Sequence, residues 1–246
     1  MVLHLLPTRT AGAAENMAVD FLLLQRYPHA DAARFRHYGW RSPARTFGYA
    51  QKIATVRALL AETDRLRTPD TEGVRLDLCR RPTGGGLVDH RADWTYALVI
   101  PRGHPLEELR ATQSYHAIHE ALAAALREQG VPAETKPAGG DEEPEGGGVC
   151  FQRAEVHDVV HGATREKIAG AAQKRNKHGL LFQGSVWRPA VGRPDFDWER
   201  FEADFVARLA EALGLPAEPV PWPDFNDDEV SGLTEQYASA EWLEYR

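Results

Sequence analysis

Short runs of alternating apolar and polar residues, interspersed with stretches of helical spacing, organise this 246-residue chain. Met1–Pro7 reads as a first strand, and Glu15–Gln25 as a helix with Met17, Phe21 and Leu24 on one face. Phe35–Trp40 reads as a strand, Ser42-Pro43 as a turn, and the region around Val56 to Leu66 as a short helix. Strands are expected over Gly73–Cys79 and Trp94–Ile100. Pro105 opens a long helix running to about Gln129, with Tyr115, Ile118, Leu122 and Leu126 as its apolar stripe and Gly130 as its end. Glu155–His161 alternates as a strand, Gly162–Thr164 as its turn and Arg165–Gln173 as the returning strand, with Leu180–Trp187 as another. Trp198, Phe201, Phe205, Leu209 and Leu213 mark an amphipathic helix begun near Asp197 and stopped at Gly214. A proline-rich tail closes with a short helix through Leu233 to Trp242. Grouped, hairpin-linked strands with few helices predict an α+β fold rather than a doubly wound parallel sheet.

Composition narrows the class. A chain of this length, 43% hydrophobic and 26% charged, suits one domain over residues 1–246. Residues 137–148, rich in glycine and acid with no apolar anchor, predict a flexible loop inside it. A formal charge of −7 argues against nucleic acid as a partner. No apolar run approaches the roughly 20 residues that span a bilayer, so no membrane association is expected. Without an evident export signal, the expected location is the cytoplasm and the two cysteines, Cys79 and Cys150, are expected to be reduced.

The segment richest in chemistry is Arg80-Arg81-Pro82-Thr83-Gly84-Gly85-Gly86-Leu87-Val88-Asp89-His90. Three consecutive glycines lose much entropy on ordering, a cost accepted where backbone passes close to something. They serve either as an ordinary hairpin turn with basic flanks or as a cradle for an anion or carbonyl. No Gly-Lys-Ser/Thr follows, and the loop leads into a strand, so neither a Walker loop nor a dinucleotide fingerprint is present. Cys79 ends an alternating run and reads as a small core residue.

Cys150 is the candidate nucleophile. A thiol of ordinary pKa is only a few per cent thiolate at neutral pH and needs a neighbouring cation or base, a part that Lys167 can fill. Spacing leaves the alternative open: an inert cysteine and a solvated strand lysine. His157 and His161, on one face of a strand, would stand about 13 Å apart, too far to share one metal ion. Gln173–His178 is a local basic patch at a hairpin tip, either a solvated turn or a docking point for an acidic protein.

Several segments together resemble the lipoate-protein ligase and octanoyltransferase family. Arg80–His90 resembles its arginine–glycine–histidine motif, and Lys167-Ile168-Ala169-Gly170-Ala171-Ala172-Gln173 its lysine motif. Leu181–Ser185 is similar to the strand after it, Tyr237–Trp242 to its closing motif, and His37–Trp40 to its early strand. Val149-Cys150-Phe151 with Val156–Val160 resembles the cysteine-bearing octanoyltransferase branch. The acidic glycine-rich insertion, and Leu243 where the closing motif usually has asparagine, depart from the pattern.

The resemblance implies a mixed, mainly antiparallel sheet flanked by helices, as in biotin protein ligase catalytic domains. It also implies transfer of an octanoyl or lipoyl group from an acyl-carrier donor protein to a lysine of a lipoyl-carrier domain, with no cofactor. By the same token Cys150 would take the acyl group as a thioester and Lys167 would contact its carbonyl. Arg81, Gly84, Gly85, Gly86, Leu87, Val88, Asp89, His90, Gly170 and Ala171 would line the substrate site, and no metal is implied for transfer. Two alternatives stand beside it: an ATP- and Mg-dependent lipoate-protein ligase working through lipoyl-adenylate, and a non-catalytic acyl-binding protein.

Overall fold

The computed structural model describes residues 1–65, 76–138 and 154–245. The chain opens with β1 (Leu3–Leu5), β2 (Arg9–Ala11), α1 (Ala13–Gln25), β3 (Ala33–Trp40), β4 (Ala44–Phe47) and α2 (Ile53–Arg65). It continues with β5 (Asp77–Arg80), β6 (Val88–Asp89), β7 (Asp93–Pro101), α3 (Pro105–Glu108), α4 (Ala111–Glu128) and β8 (Ala133–Thr135). After 154 come β9 (Val159–His161), β10 (Lys167–Asn176), β11 (Gly179–Trp187), α5 (Arg188–Val191) and α6 (Trp198–Leu213). β12 (Ala217–Pro219), α7 (Asp227–Ala238) and α8 (Ala240–Leu243) finish it.

Among the described residues, a nine-stranded sheet runs in the order β12-β1-β3-β7-β11-β10-β9-β8, with β2 also on β3. The joins from β3 to β8 are antiparallel, and those of β1 with β12 and β3 and of β2 with β3 are parallel. This is the α+β architecture expected from the strand pattern. β4 lies at the centre of a second, three-stranded sheet, parallel to β5 and antiparallel to β6.

Strand alternation sorts side chains between two layers. On one face, Trp94, Tyr96, Leu98 and Ile100 of β7 pack with Phe182 of β11, Leu122 and Leu126 of α4, and Phe201 and Phe205 of α6. On the other, Ala97, Val99 and Leu181 meet Val19, Leu23 and Leu24 of α1. Gly184 has no side chain because a Cβ there would stand 2.1 Å from the Tyr96 ring.

Three expectations are corrected. The helix opened by Pro105 is two helices, broken where Leu109 takes an extended conformation and its carbonyl accepts Arg175 Nη2 at 2.8 Å. The strand expected over Glu155–His161 shrinks to Val159–His161. Ahead of it, His157 adopts a left-handed φ of 67°, and Asp158 Oδ2 accepts the Glu155 N–H at 2.7 Å, closing a turn. The glycine loop is not a plain hairpin between its flanking strands, since β5 and β6 both pair with β4. Positions 139–148 of the expected flexible loop, and Cys150, lie outside the described residues.

Candidate active site

Register across the main sheet builds the floor of a cleft. Tyr38 pairs with Thr95, Thr95 with Ser185, and Ser185 with Gly170, so one row crosses β3, β7, β11 and β10. All four residues line the cleft, as do Gln183 and Ala172, which pair in the next row. The small sheet roofs it with Thr46, Arg81, Gly85, Val88 and His90, and α1 contributes Met17. The space between floor and roof is about 490 Å³, part of it open to solvent. Gly170, Ala171, Ala172, Val88 and Met17 give it a largely apolar lining.

Lys167 supplies the charge at one wall. The pairing of β10 with β9 shifts register between Lys167 and Ala169, a bulge that lets Ile168 and Ala169 both enter the core while Lys167 faces the cleft. Lys167 is buried, and its Nζ lies 2.7 Å from Asp158 Oδ2. Asp158 is buried too, and its other oxygen accepts the Tyr115 hydroxyl. That hydroxyl in turn accepts the Ala171 N–H at 2.9 Å. Burial, and then the Asp158 carboxylate, hold the Tyr115 phenol well above its ordinary pKa, so it stays a neutral donor. Behind it the His119 ring packs against that of Tyr115, centroids 4.0 Å apart and planes tilted by 55°, and burial pushes its imidazole down to about 4.

The roof is held by its own arginines. Arg80, fully buried, donates to the carbonyls of Tyr49, Gln51, Trp242 and Leu243, which ties the closing segment to the loop. Arg81 donates to the Gly84 and Gly86 carbonyls at 2.8 and 2.9 Å and to Thr46 Oγ1 at 2.8 Å. Its guanidinium therefore braces the glycine loop at the edge of the cleft. Thr46 Oγ1 also meets His90 Nε2 at 2.7 Å, and His90 Nδ1 meets Asp93 Oδ2 at 2.7 Å. With Arg81 donating to Thr46, the arrangement that satisfies every donor has the Thr46 hydroxyl giving its proton to Nε2 and Nδ1–H donating to Asp93. Trp40 stacks on the His90 ring at 4.1 Å and fixes its plane.

Seven of the residues expected at the site line the cleft: Arg81, Gly85, Val88, His90, Lys167, Gly170 and Ala171. Gly84 and Gly86 shape the loop through their carbonyls. Leu87 is buried with Phe47, Ile53 and Val56, and Asp89 pairs with Arg91 and Arg45, so both anchor the loop from behind. Met17, Thr46, Gln183 and Ser185 also line the cleft and Asp158 holds Lys167, though none of the five is marked as a site residue by the sequence. Gln183 and Ser185 had a signal, two polar side chains two apart in an otherwise apolar strand. Gly48 had none: a Cβ there would stand 2.0 Å from the Gly85 carbonyl oxygen, so the glycine loop rests on it. Beside the cleft, Gln183 accepts the Thr83 hydroxyl at 2.7 Å and donates to Asp20 of α1, which pairs with Arg36 at 2.6 Å.

The wall and roof together can hold an apolar acyl chain against small side chains while an ammonium group faces its carbonyl end. Comparison with known proteins agrees in kind. A family model for the lipoyl protein ligase A/B catalytic domain matches residues 12–187. The octanoyltransferase LipM of Symbiobacterium thermophilum is 32% identical over 94% of this chain and 84% of its own length. That of an Exiguobacterium species is 25% identical over 98% and 97%. Among solved structures, a putative lipoate protein ligase from T. acidophilum with bound lipoic acid superposes with a TM-score of 0.72. It covers both chains entirely at 18% identity, a likeness of fold.

Proposed function

Because the chain belongs to the lipoyl protein ligase A/B catalytic domain family, we propose that it is an octanoyltransferase. It moves an octanoyl or lipoyl group from a carrier-protein thioester to a lysine of a lipoyl-carrier domain. The observation that carries this reading is Lys167, buried and charge-paired, in the wall of a cleft where Gly170, Ala171, Ala172, Val88 and Met17 leave room for an apolar chain.

In the reaction, the Cys150 thiolate attacks the donor's thioester carbonyl, and the C–S bond to the carrier breaks as the new one forms. The carrier leaves as its thiol after taking up a proton. The neutral amine of the acceptor lysine then attacks the Cys150 thioester, loses a proton, and expels the Cys150 thiolate as the amide forms. Lys167 donates to the carbonyl oxygen in both steps, where negative charge develops. Asp158 keeps that ammonium in position, and Arg81 keeps the glycine loop shaped around the acyl group. The first step exchanges one thioester for another and the second runs downhill, so no ATP or other cofactor is needed.

Chain reach is compatible with the role given to Cys150. Glu155 N–H donates to the same Asp158 oxygen that holds Lys167, and Cys150 precedes Glu155 by five residues, at most about 18 Å of chain. The test is ATP-free incubation with an octanoyl-loaded carrier and an unmodified lipoyl domain. The domain should gain one octanoyl mass. Modification that requires ATP and free octanoate would replace transfer by ligation, and none under either condition would favour a binding protein.

A further inference from the structure

We propose that the tip of the β10–β11 hairpin, with the aromatic cluster beside it, is the docking surface for the acceptor carrier domain, which meets it with an acidic face. This rests on the acyl-transfer reading above.

Gly170 and Ala172 line the cleft, and alternation puts Lys174 on the same face of β10, about 7 Å further along the strand. Lys174 Nζ lies 5.6 Å from the Tyr49 ring. Tyr49 abuts the glycine loop, its N–H donating to the Thr83 carbonyl at 2.8 Å. Tyr49, Trp242 and Tyr245 form a trio with ring centroids 5.6 to 6.0 Å apart, and Tyr245 is 53% exposed. The cleft is thus rimmed by exposed Gly85, aromatic rings and a lysine.

Charge on this rim is uneven. Arg175, on the opposite face of the strand, is engaged by the fold through Leu109 and Glu107. Lys174, exposed Lys177 in the turn, and exposed Lys52 three residues beyond Tyr49 make no ion pair with any described residue. On a chain of net charge −7, Lys174 at the rim, with Lys177 in the turn beyond it and Lys52 close to Tyr49 in sequence, favours the approach of an acidic partner at this place. Tyrosine and tryptophan beside them supply the contact area typical of an interface core. The acceptor is the partner that must sit here. Its amine enters the cleft on the short stem of a lysine, so its body has to rest on the rim.

The test is a titration of an isotopically labelled lipoyl domain with Lys174→Glu/Lys177→Glu protein, in parallel with steady-state transfer and the donor half-reaction. Wild type should bind more weakly as salt rises. The double variant should bind about tenfold more weakly at low salt, lose most of that salt dependence, and show a raised KM for the acceptor with kcat and donor loading unchanged. Lys174→Arg/Lys177→Arg should behave as wild type, and unchanged thermal unfolding would show that the reversal leaves the fold intact. Equal binding by wild type and variant, no detectable binding by wild type, or a defect confined to donor loading would each overturn the proposal. Wild-type binding without any transfer would instead overturn the acyl-transfer reading and leave the docking surface standing.

Discussion

A β-carbon at Gly170 would stand 2.8 Å from both Cε and Nζ of Lys167 and 3.0 Å from Asp158 Oδ1. The space that another residue's side chain would fill is where the lysine–aspartate pair lies, so the glycine in this motif is there for room.

Gly170→Ala should therefore push Lys167 off Asp158 while leaving β10 paired. We expect kcat for acyl transfer to fall by about 100-fold, the scale for loss of one preorganised electrostatic contact, with thermal stability reduced only slightly. Steady-state kinetics beside a melting curve checks this. Wild-type kcat in a folded Gly170→Ala protein would show that the pair need not hold its place.

Removing the carboxylate charge alone should be costly. Asp158→Asn is expected to lower unfolding free energy by about 3 kcal/mol, because one member of a buried pair then keeps its charge without the other's. Asp158→Asn combined with Lys167→Met should recover most of that loss while remaining inactive. Urea denaturation of the two single variants and the double gives the coupling directly, and simple additivity would deny it.

His119 gives the fold a predictable acid response. Its Nδ1–H donates to the His157 carbonyl at 2.7 Å, and burial depresses its pKa from 6.5 to about 4. Between those values the unfolded chain binds a proton that the folded protein refuses. Stability is therefore lost as pH falls through 6.5, by about 1.4 kcal/mol per unit, and this contribution levels off near 4. His119→Phe should remove it. Between pH 6.5 and 4.5 wild type should lose about 2–3 kcal/mol more stability than the variant, and parallel stability curves would contradict the assignment.

How much of this was legible in sequence varies with how local its cause is. α6 was legible almost to the residue, because Asp197 accepts the N–H groups of Glu199 and Arg200 and Gly214 takes a left-handed φ of 64°. Those signals sit within one turn of the helix. The break between α3 and α4 was hidden because helical spacing runs on through Leu109, while the contact there comes from Arg175, 66 residues away. The turn before β9 was hidden because Glu155–His161 alternates like a strand. Of the site, Arg81, Lys167 and Gly170 were legible as motifs. Asp158 was not, since an acid in a run that alternates like a strand gives no sign that it will be buried against a lysine. Nor was β4 expected, the strand that gathers β5 and β6 into the roof.

Transfer by this route requires a covalent step at Cys150, which intact-mass analysis of the protein alone with an octanoyl-carrier donor reads out. One added octanoyl mass is expected, which hydroxylamine removes, which is absent from Cys150→Ala, and which passes to a lipoyl domain added afterwards. A lipoyl domain modified without any such adduct on wild type, or by Cys150→Ala at the wild-type rate, would contradict it.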